Sequence, residues 1–274
     1  MKIPELLEQI SGYKRVHDQV FYLLGNLQKL DQDRTLNLKQ IKAQLLKLEK
    51  LANDSRENQP TLKELLESLA EYQKEIEALA KKTETDFGST LEKELQIIGH
   101  SLSGHYPLLS AGLFRIEVDF RSWSIKLWYG PKQELLDRCP ISAQEVTRRL
   151  EILKPQLGSN LEESAFSQTL FSAYSRVLNN NLGEPAPIIK VLNAFAEAIN
   201  ETKQAKQYSK GKVPIYNRQD FSYDLFRLRG ANLGLKLVVA TKAFSKRRQD
   251  FLWIPSDESG NGSIYSHLKF PEVK

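Results

Sequence analysis

The apolar positions of the first hundred residues recur at helical spacing. Val20, Leu23, Leu27 and Leu30 follow one another at steps of three and four, and so do Leu38, Ile41, Leu45 and Leu48. Such steps place side chains on one face of an α-helix, so both sets predict a helix with a single apolar seam. Between Leu30 and Leu38 the register slips, which reads as a coiled-coil stutter. The polar run from Asn53 to Pro60 turns the chain, and Thr61 with Glu64 has the spacing of a capping box for a second helix. That helix keeps its alternation through Leu62, Leu65, Leu69, Tyr72, Ile76 and Leu79, then takes wider steps through Phe87, Leu91, Leu95, Ile98 and Leu102. Gly88 marks a bend within it. Two helices of roughly forty residues reach about 60 Å. They are expected to bury the seam against each other as a long antiparallel coiled-coil hairpin.

After Pro107 the period changes to two. Phe114, Ile116, Val118 and Phe120 alternate with Arg115, Glu117, Asp119 and Arg121, and Ile125, Leu127 and Tyr129 alternate with Lys126 and Trp128. This predicts two antiparallel strands, each with one buried face, ended by Gly130-Pro131. Trp123, Trp128 and Trp253 are expected in the core. A helix follows from about Ser142, where Ser142 and Glu145 have capping-box spacing, through Val146, Leu150 and Leu153 to the Lys154-Pro155 boundary.

The last hundred residues predict three helices and then strands. Phe166, Leu170, Tyr174 and Leu178 mark the first helix, Val191, Leu192, Phe195 and Ile199 the second, and Phe221, Leu225 and Leu228 the third, near Asp220–Arg229. An apolar strand from Leu233 to Ala240, a basic turn from Thr241 to Gln249 and a strand from Asp250 to Ile254 read as a hairpin. Ile264–Phe270 adds an edge strand or docks on the domain. Three helices followed by a two-stranded hairpin is the element order of a winged helix, a relative of the helix-turn-helix. The fold class is therefore α+β, mainly helical. Residues 1–106 are expected to form the helical hairpin, 107–160 a β-hairpin plus helix, and 161–274 a basic winged-helix-like domain.

Charge sharpens this picture. The net charge is +5, but residues 203–250 carry twelve Lys or Arg against three Asp and no Glu, so that stretch alone carries +9 and the rest −4. Segregation of this kind suits a polyanion. On the winged-helix reading the third helix enters a major groove and the hairpin lies along the backbone. The candidate nucleic-acid-binding residues are Arg218, Arg227 and Arg229 around that helix, and Lys242, Lys246, Arg247 and Arg248 on the hairpin turn, where each neutralised phosphate releases counterions. Phe244 among them is placed to stack on a base or enter a groove. The bland alternative is a solvated basic face.

Other chemistry has less support. Glu117, Asp119 and Lys126 match a metal-dependent nuclease in residue type only, and cross-strand ion pairing explains them better. His100 and His105 are five apart, whereas a helical metal pair needs four. A helix C-terminus would itself favour a protonated His100. Cys139, the single cysteine, excludes an internal disulfide and a multi-cysteine zinc cluster and reads as a small apolar residue. No glycine-rich phosphate loop, serine elbow or metalloprotease helix occurs, so no enzyme activity and no cofactor are expected. The start of the chain has no apolar signal core, no segment is apolar enough to span a bilayer, and a cytoplasmic location is expected. The sequence thus points to a non-enzymatic DNA-binding or DNA-associated subunit, with duplex DNA favoured over RNA. The helical hairpin would serve a protein partner or a second copy. The alternative is a protein-interaction scaffold, or accessory subunit of a larger complex, without direct DNA binding.

Overall fold

The computed structural model describes residues 3–55, 60–206, 216–229 and 234–271. The chain divides into two compact units. One comprises Met1–Glu94, Val118–Ile125 and Cys139–Val146, and the other Leu95–Glu117, Lys126–Arg138 and Thr147–Lys274.

The first unit contains the helical hairpin. Helix α1 (Ile3–Leu30) is followed by a 3-10 turn (Asp31–Asp33), α2 (Arg34–Ser55) and α3 (Pro60–Ile97). Helices α1 and α2 pack side by side, so the slip between Leu30 and Leu38 is a chain reversal and not a stutter. The polar run Asp31–Thr35 makes it. Asp33 Oδ1 accepts a hydrogen bond from Leu36 N at 3.2 Å, capping the new helix, and Asn37 Nδ2 donates to Leu30 O at 3.0 Å. Arg34 grips Asp31 with two bonds of 2.7 and 3.1 Å while its guanidinium lies 5.3 Å over the Tyr72 ring. Tyr72 in turn donates to Asp31. Periodicity cannot separate a stutter from a tight turn, because both appear as one skipped position.

In place of two helices of about forty residues there are three, and most of the predicted apolar positions are buried on them. Leu38, Ile41, Leu45, Leu48 and Ala52 on α2 and Leu69, Ile76, Ala80, Phe87 and Leu91 on α3 are buried, as are Val20 and Leu27 on α1. Helix α3 runs through Gly88 without interruption. The capping box expected from Thr61 and Glu64 lies outside the described side chains.

Helix α3 stops earlier than its apolar spacing implies. Gly99 takes φ +75°, and His100 N donates back to Leu95 O at 2.9 Å, closing the helix end. Leu102 therefore opens a strand. Five strands follow in a meander, β1 (Leu102–His105), β2 (Leu108–Ala111), β3 (Phe114–Asp119), β4 (Ser124–Tyr129) and β5 (Glu134–Pro140), forming one antiparallel sheet in that order. The predicted alternation holds in β3 and β4, where Phe114, Ile116, Val118, Ile125, Leu127 and Tyr129 are all buried. Trp128 is in the opposite phase and only half-buried, a correction to its expected core position, whereas Trp123 and Trp253 are buried. Helix α4 (Ala143–Leu153) begins where Ser142 Oγ accepts from Glu145 N at 3.3 Å.

The C-terminal part of the second unit contains α5 (Glu163–Val177), β6 (Ala186–Pro187), α6 (Ile188–Lys206), α7 (Arg218–Arg227), β7 (Lys236–Val239), β8 (Leu252–Pro255) and β9 (Gly262–Lys269). Its core is built on the predicted faces. Phe166 lies 5.0 Å from Phe195, which lies 5.5 Å from Phe221, and Leu170, Tyr174, Val191, Leu225 and Leu268 close around them. The strand pairing differs from the expected β7–β8 hairpin. The sheet order is β6-β9-β7, and β8 also pairs with β9. Leu237 faces Leu268, Val239 faces Tyr265, and Leu252 also faces Tyr265. The last strand, expected at an edge, is the central one. Ser266 and Leu268 are accordingly buried.

Leu48 is fully buried and Leu46, two positions away, is 64% exposed. Leu48→Ala is expected to lower stability by about 2–5 kcal/mol and Leu46→Ala by less than about 0.5. Urea denaturation followed by circular dichroism measures both.

Candidate nucleic-acid interface

The proposed recognition helix, α7, is held on two flanks within its unit. On one flank it carries two buried carboxylates. Asp224 Oδ2 accepts from Ser159 N at 2.8 Å and Tyr216 OH at 2.9 Å, and Asp224 Oδ1 accepts from Arg227 Nε at 2.6 Å. Asp220 accepts from Gly158 N and from Asn217 N, each at 3.1 Å. Gly158 has φ +85°, and a Cβ there would come within 2.6 Å of Asp224 Oδ1, so the loop needs glycine. Burial, and then the neighbouring Asp224, push the Tyr216 hydroxyl well above its ordinary pKa. On the other flank Ser222 Oγ donates to Trp253 O at 2.6 Å and lies 3.2 Å from Tyr129 OH. Asp220, Phe221, Ser222, Asp224 and Leu225 are all buried in consequence.

This arrangement sorts the candidate cations. Arg227 is spent on Asp224 and on Leu161 O, 2.7 Å away. Arg218 donates to Phe251 O at 2.7 Å and sits 3.2 Å from Glu134 Oε1, and burial lowers its basicity. Arg248 meets Glu134 Oε2 at 2.6 Å and donates to Gln133 O at 2.6 Å. Glu134, at the start of β5, therefore gathers Arg218 and Arg248, one on each oxygen. Beside it Gln133 Oε1 accepts from Trp253 N at 2.5 Å. Neither Gln133 nor Glu134 carried any signal in the sequence, because their partners lie more than eighty residues away.

Lys242, Lys246 and Arg247 remain, all exposed on the segment of turns that follows β7, with Phe244 among them. Among the described residues no carboxylate lies within ion-pair distance of these three or of the exposed Arg229, just past α7. The segment has local order: Phe244 N donates to Thr241 O at 3.0 Å and Ser245 Oγ to Lys242 O at 3.1 Å. The Phe244 ring is 42% exposed and meets the His267 ring edge-on at 5.3 Å. Chain continuity brings Lys242, Phe244, Lys246 and Arg247 together, whereas Arg218, Arg227 and Arg248 are drawn into pairs inside the unit.

The acidic residues of the central sheet are engaged in pairing. Glu117 accepts from Lys132 Nζ at 2.8 Å and Trp128 Nε1 at 2.9 Å, with Lys126 Nζ at 3.8 Å across the strands. Asp119 instead caps the β3–β4 turn, accepting from Arg121 N at 2.9 Å and from Ser122 Oγ at 2.6 Å. Among the described residues no group of three or more His, Cys, Asp or Glu is placed to hold a metal ion. His100 is held below its ordinary pKa by burial and by the charge of Lys154, the opposite direction to that expected from its place at a helix end. Cys139 is buried.

No protein-family model, curated protein or solved structure matches the chain. Among the described residues, no helix is long and apolar enough to cross a membrane.

Two outcomes follow from this geometry. Glu134→Ala leaves Arg218 and Arg248 without their carboxylate. It is expected to cost about 2–4 kcal/mol and to raise hydrogen exchange across residues 240–251, as mass spectrometry would show. The hydrogen bond from the Lys132 ammonium, with that from Trp128, holds the Glu117 carboxyl below the usual carboxylate range against an opposing effect of burial. A depressed carboxyl pKa contributes stability that is present above its unfolded value and lost as pH falls through its folded value. In Lys132→Ala the Glu117 titration, followed by carboxyl NMR, should move upward, and the loss of stability on acidification should be shallower.

Proposed function

We propose that the chain is a non-enzymatic, nucleic-acid-associated subunit whose C-terminal region, 161–274, is a winged-helix-type module that contacts a duplex through its phosphate backbone. The order α5, β6, α6, α7, β7, β8, β9 supports the module in one respect: its short strand between the first two helices pairs with the closing strand, as the winged arrangement requires, with β8 as an added strand between β7 and β9 in chain order. On this reading the basic segment after β7 serves as the wing. The observation that carries the functional reading is the set of exposed cations Lys242, Lys246 and Arg247 around Phe244. A turn bearing three cations and one aromatic ring suits backbone contact and insertion or stacking. Because α7 is flanked by the 158–161 loop and by β8, the contact is with the backbone and not by groove reading. Arg218, Arg227 and Arg248 then act by holding the module together, and Arg229 adds a peripheral charge. In this reading duplex DNA is the ligand and the cytoplasm the location. The N-terminal helices, 1–106, recruit a partner protein or a second copy, and 107–160 joins the two functional regions. Phe21 (82% exposed) and Tyr22 (68%) on α1 and Leu46 on α2 are exposed apolar side chains that such a partner would cover.

A second reading, a protein-interaction scaffold without nucleic acid, is favoured by one observation. The helix that would read a groove has its polar residues consumed internally.

Fluorescence anisotropy of a labelled duplex across a salt series separates the two. Each phosphate contact contributes about 0.9 to the slope of log affinity against log salt, so Lys242→Glu, Lys246→Glu, Arg247→Glu combined should flatten the slope by about 2–3. Arg248 is left in place because it supports the segment. A wild-type chain that fails to bind even at low salt would leave the scaffold reading standing.

A further inference from the structure

Among the described residues one edge of β7 is unpaired, and the nucleic-acid reading does not use the backbone of that edge. Strand β7 pairs with β9 on one side, and among the described residues no strand pairs with its other side. Antiparallel alternation turns every second N–H and C=O of such a strand toward that unpaired side. The edge also carries exposed apolar side chains: Val238 is 39% exposed and Val239 60%, on either side of a register shift in the β7–β9 ladder. An exposed edge bearing β-branched residues is a template for another strand.

Charge selects the occupant. From Arg229 to Gln249 the chain contains six Lys or Arg and no Asp or Glu, with Lys236 beginning the strand and Lys242, Lys246 and Arg247 following it. A second copy joining through its own β7 would bring Lys236 and Lys242 of both molecules alongside one another, and like charges across a strand pair are unfavourable. A phosphate backbone has no use for unpaired carbonyl groups or for two exposed valines. We infer that the free edge of β7 receives an extended acidic peptide segment of a partner protein, added as an antiparallel or parallel strand. Its backbone bonds to residues 236–240, its apolar side chains cover Val238 and Val239, and its carboxylates meet Lys236, Lys242 and Lys246. Lys242 and Lys246 are shared with the proposed duplex contact, whereas Lys236, the two valines and the backbone of β7 serve the peptide alone.

The test uses the full chain and a labelled ten-residue peptide alternating valine and glutamate. A second peptide of the same composition is N-methylated at every second amide. Saturable binding of the first peptide below ~1 mM, weakened at least about tenfold by N-methylation, is the expected result. Val238→Glu with Val239→Glu, at positions exposed enough to leave the fold intact by circular dichroism, should weaken it by at least about tenfold as well. Amide NMR shifts on binding should centre on residues 236–240. Equal binding of the N-methylated peptide, no binding at all, or shifts that fall elsewhere would overturn the proposal. So would displacement of those same amides by a single-stranded oligonucleotide but not by the peptide. The duplex titration uses a different probe, so failure here leaves its outcome unaffected.

Discussion

The C-terminal unit depends on the burial of two carboxylates. Asp220 and Asp224 lie on the inner flank of α7, and a carboxylate taken out of water costs several kcal/mol unless its lone pairs are filled. Here they are filled by the N–H groups of Gly158, Ser159 and Asn217, by the Tyr216 hydroxyl and by Arg227. Meeting that requirement sets the path of the 158–161 loop, demands glycine at 158 and orients α7 with Phe221 and Leu225 in the core. It also turns that flank of α7 inward, while Arg218, Gln219, Tyr223 and Phe226 stay half-buried and Arg227 exposed.

The same logic divides the basic residues. A segment with a surplus of nine positive charges does not present nine free cations. Glu134 takes Arg218 and Arg248, and Asp224 takes Arg227. Low-dielectric surroundings favour arginine for this work, because its planar guanidinium supplies several donors in fixed directions. Lys242, Lys246 and Arg247, exposed and without a carboxylate partner among the described residues, are clustered because one short segment carries them, and that segment is anchored through Arg248 to β5.

Strand β9 illustrates where local reading stops. Its alternation is visible in the sequence, as are the apolar runs of β7 and β8, and all three fall close to where the pattern puts them. Nearest-neighbour order then suggests a β7–β8 hairpin with β9 outside. The pairing is decided by which strand has both edges and its inward phase available to the core. Ser266 and Leu268 are buried, so β9 takes the centre and β6, β7 and β8 pair onto it. The slip at Leu30–Leu38 is a similar case: the sequence marks the discontinuity, and only the Asp33 cap and the packing of α1 on α2 identify it as a reversal.

The periodicities of three-to-four and two by themselves determined the helical N-terminal third, the alternating strands β3 and β4, the faces of α4 to α7 that enter the cores, and the basic character of the region after Lys203. These features are local, because a side chain's direction follows from its position in a helix or strand. Tertiary structure alone decided where the N-terminal helices reverse, that β9 is central, that Glu134 and Asp224 consume three of the seven candidate cations, and that one edge of β7 has no partner strand among the described residues. Each of these depends on partners distant in the chain, or on the absence of a pairing strand, and neither leaves a periodic trace in the sequence.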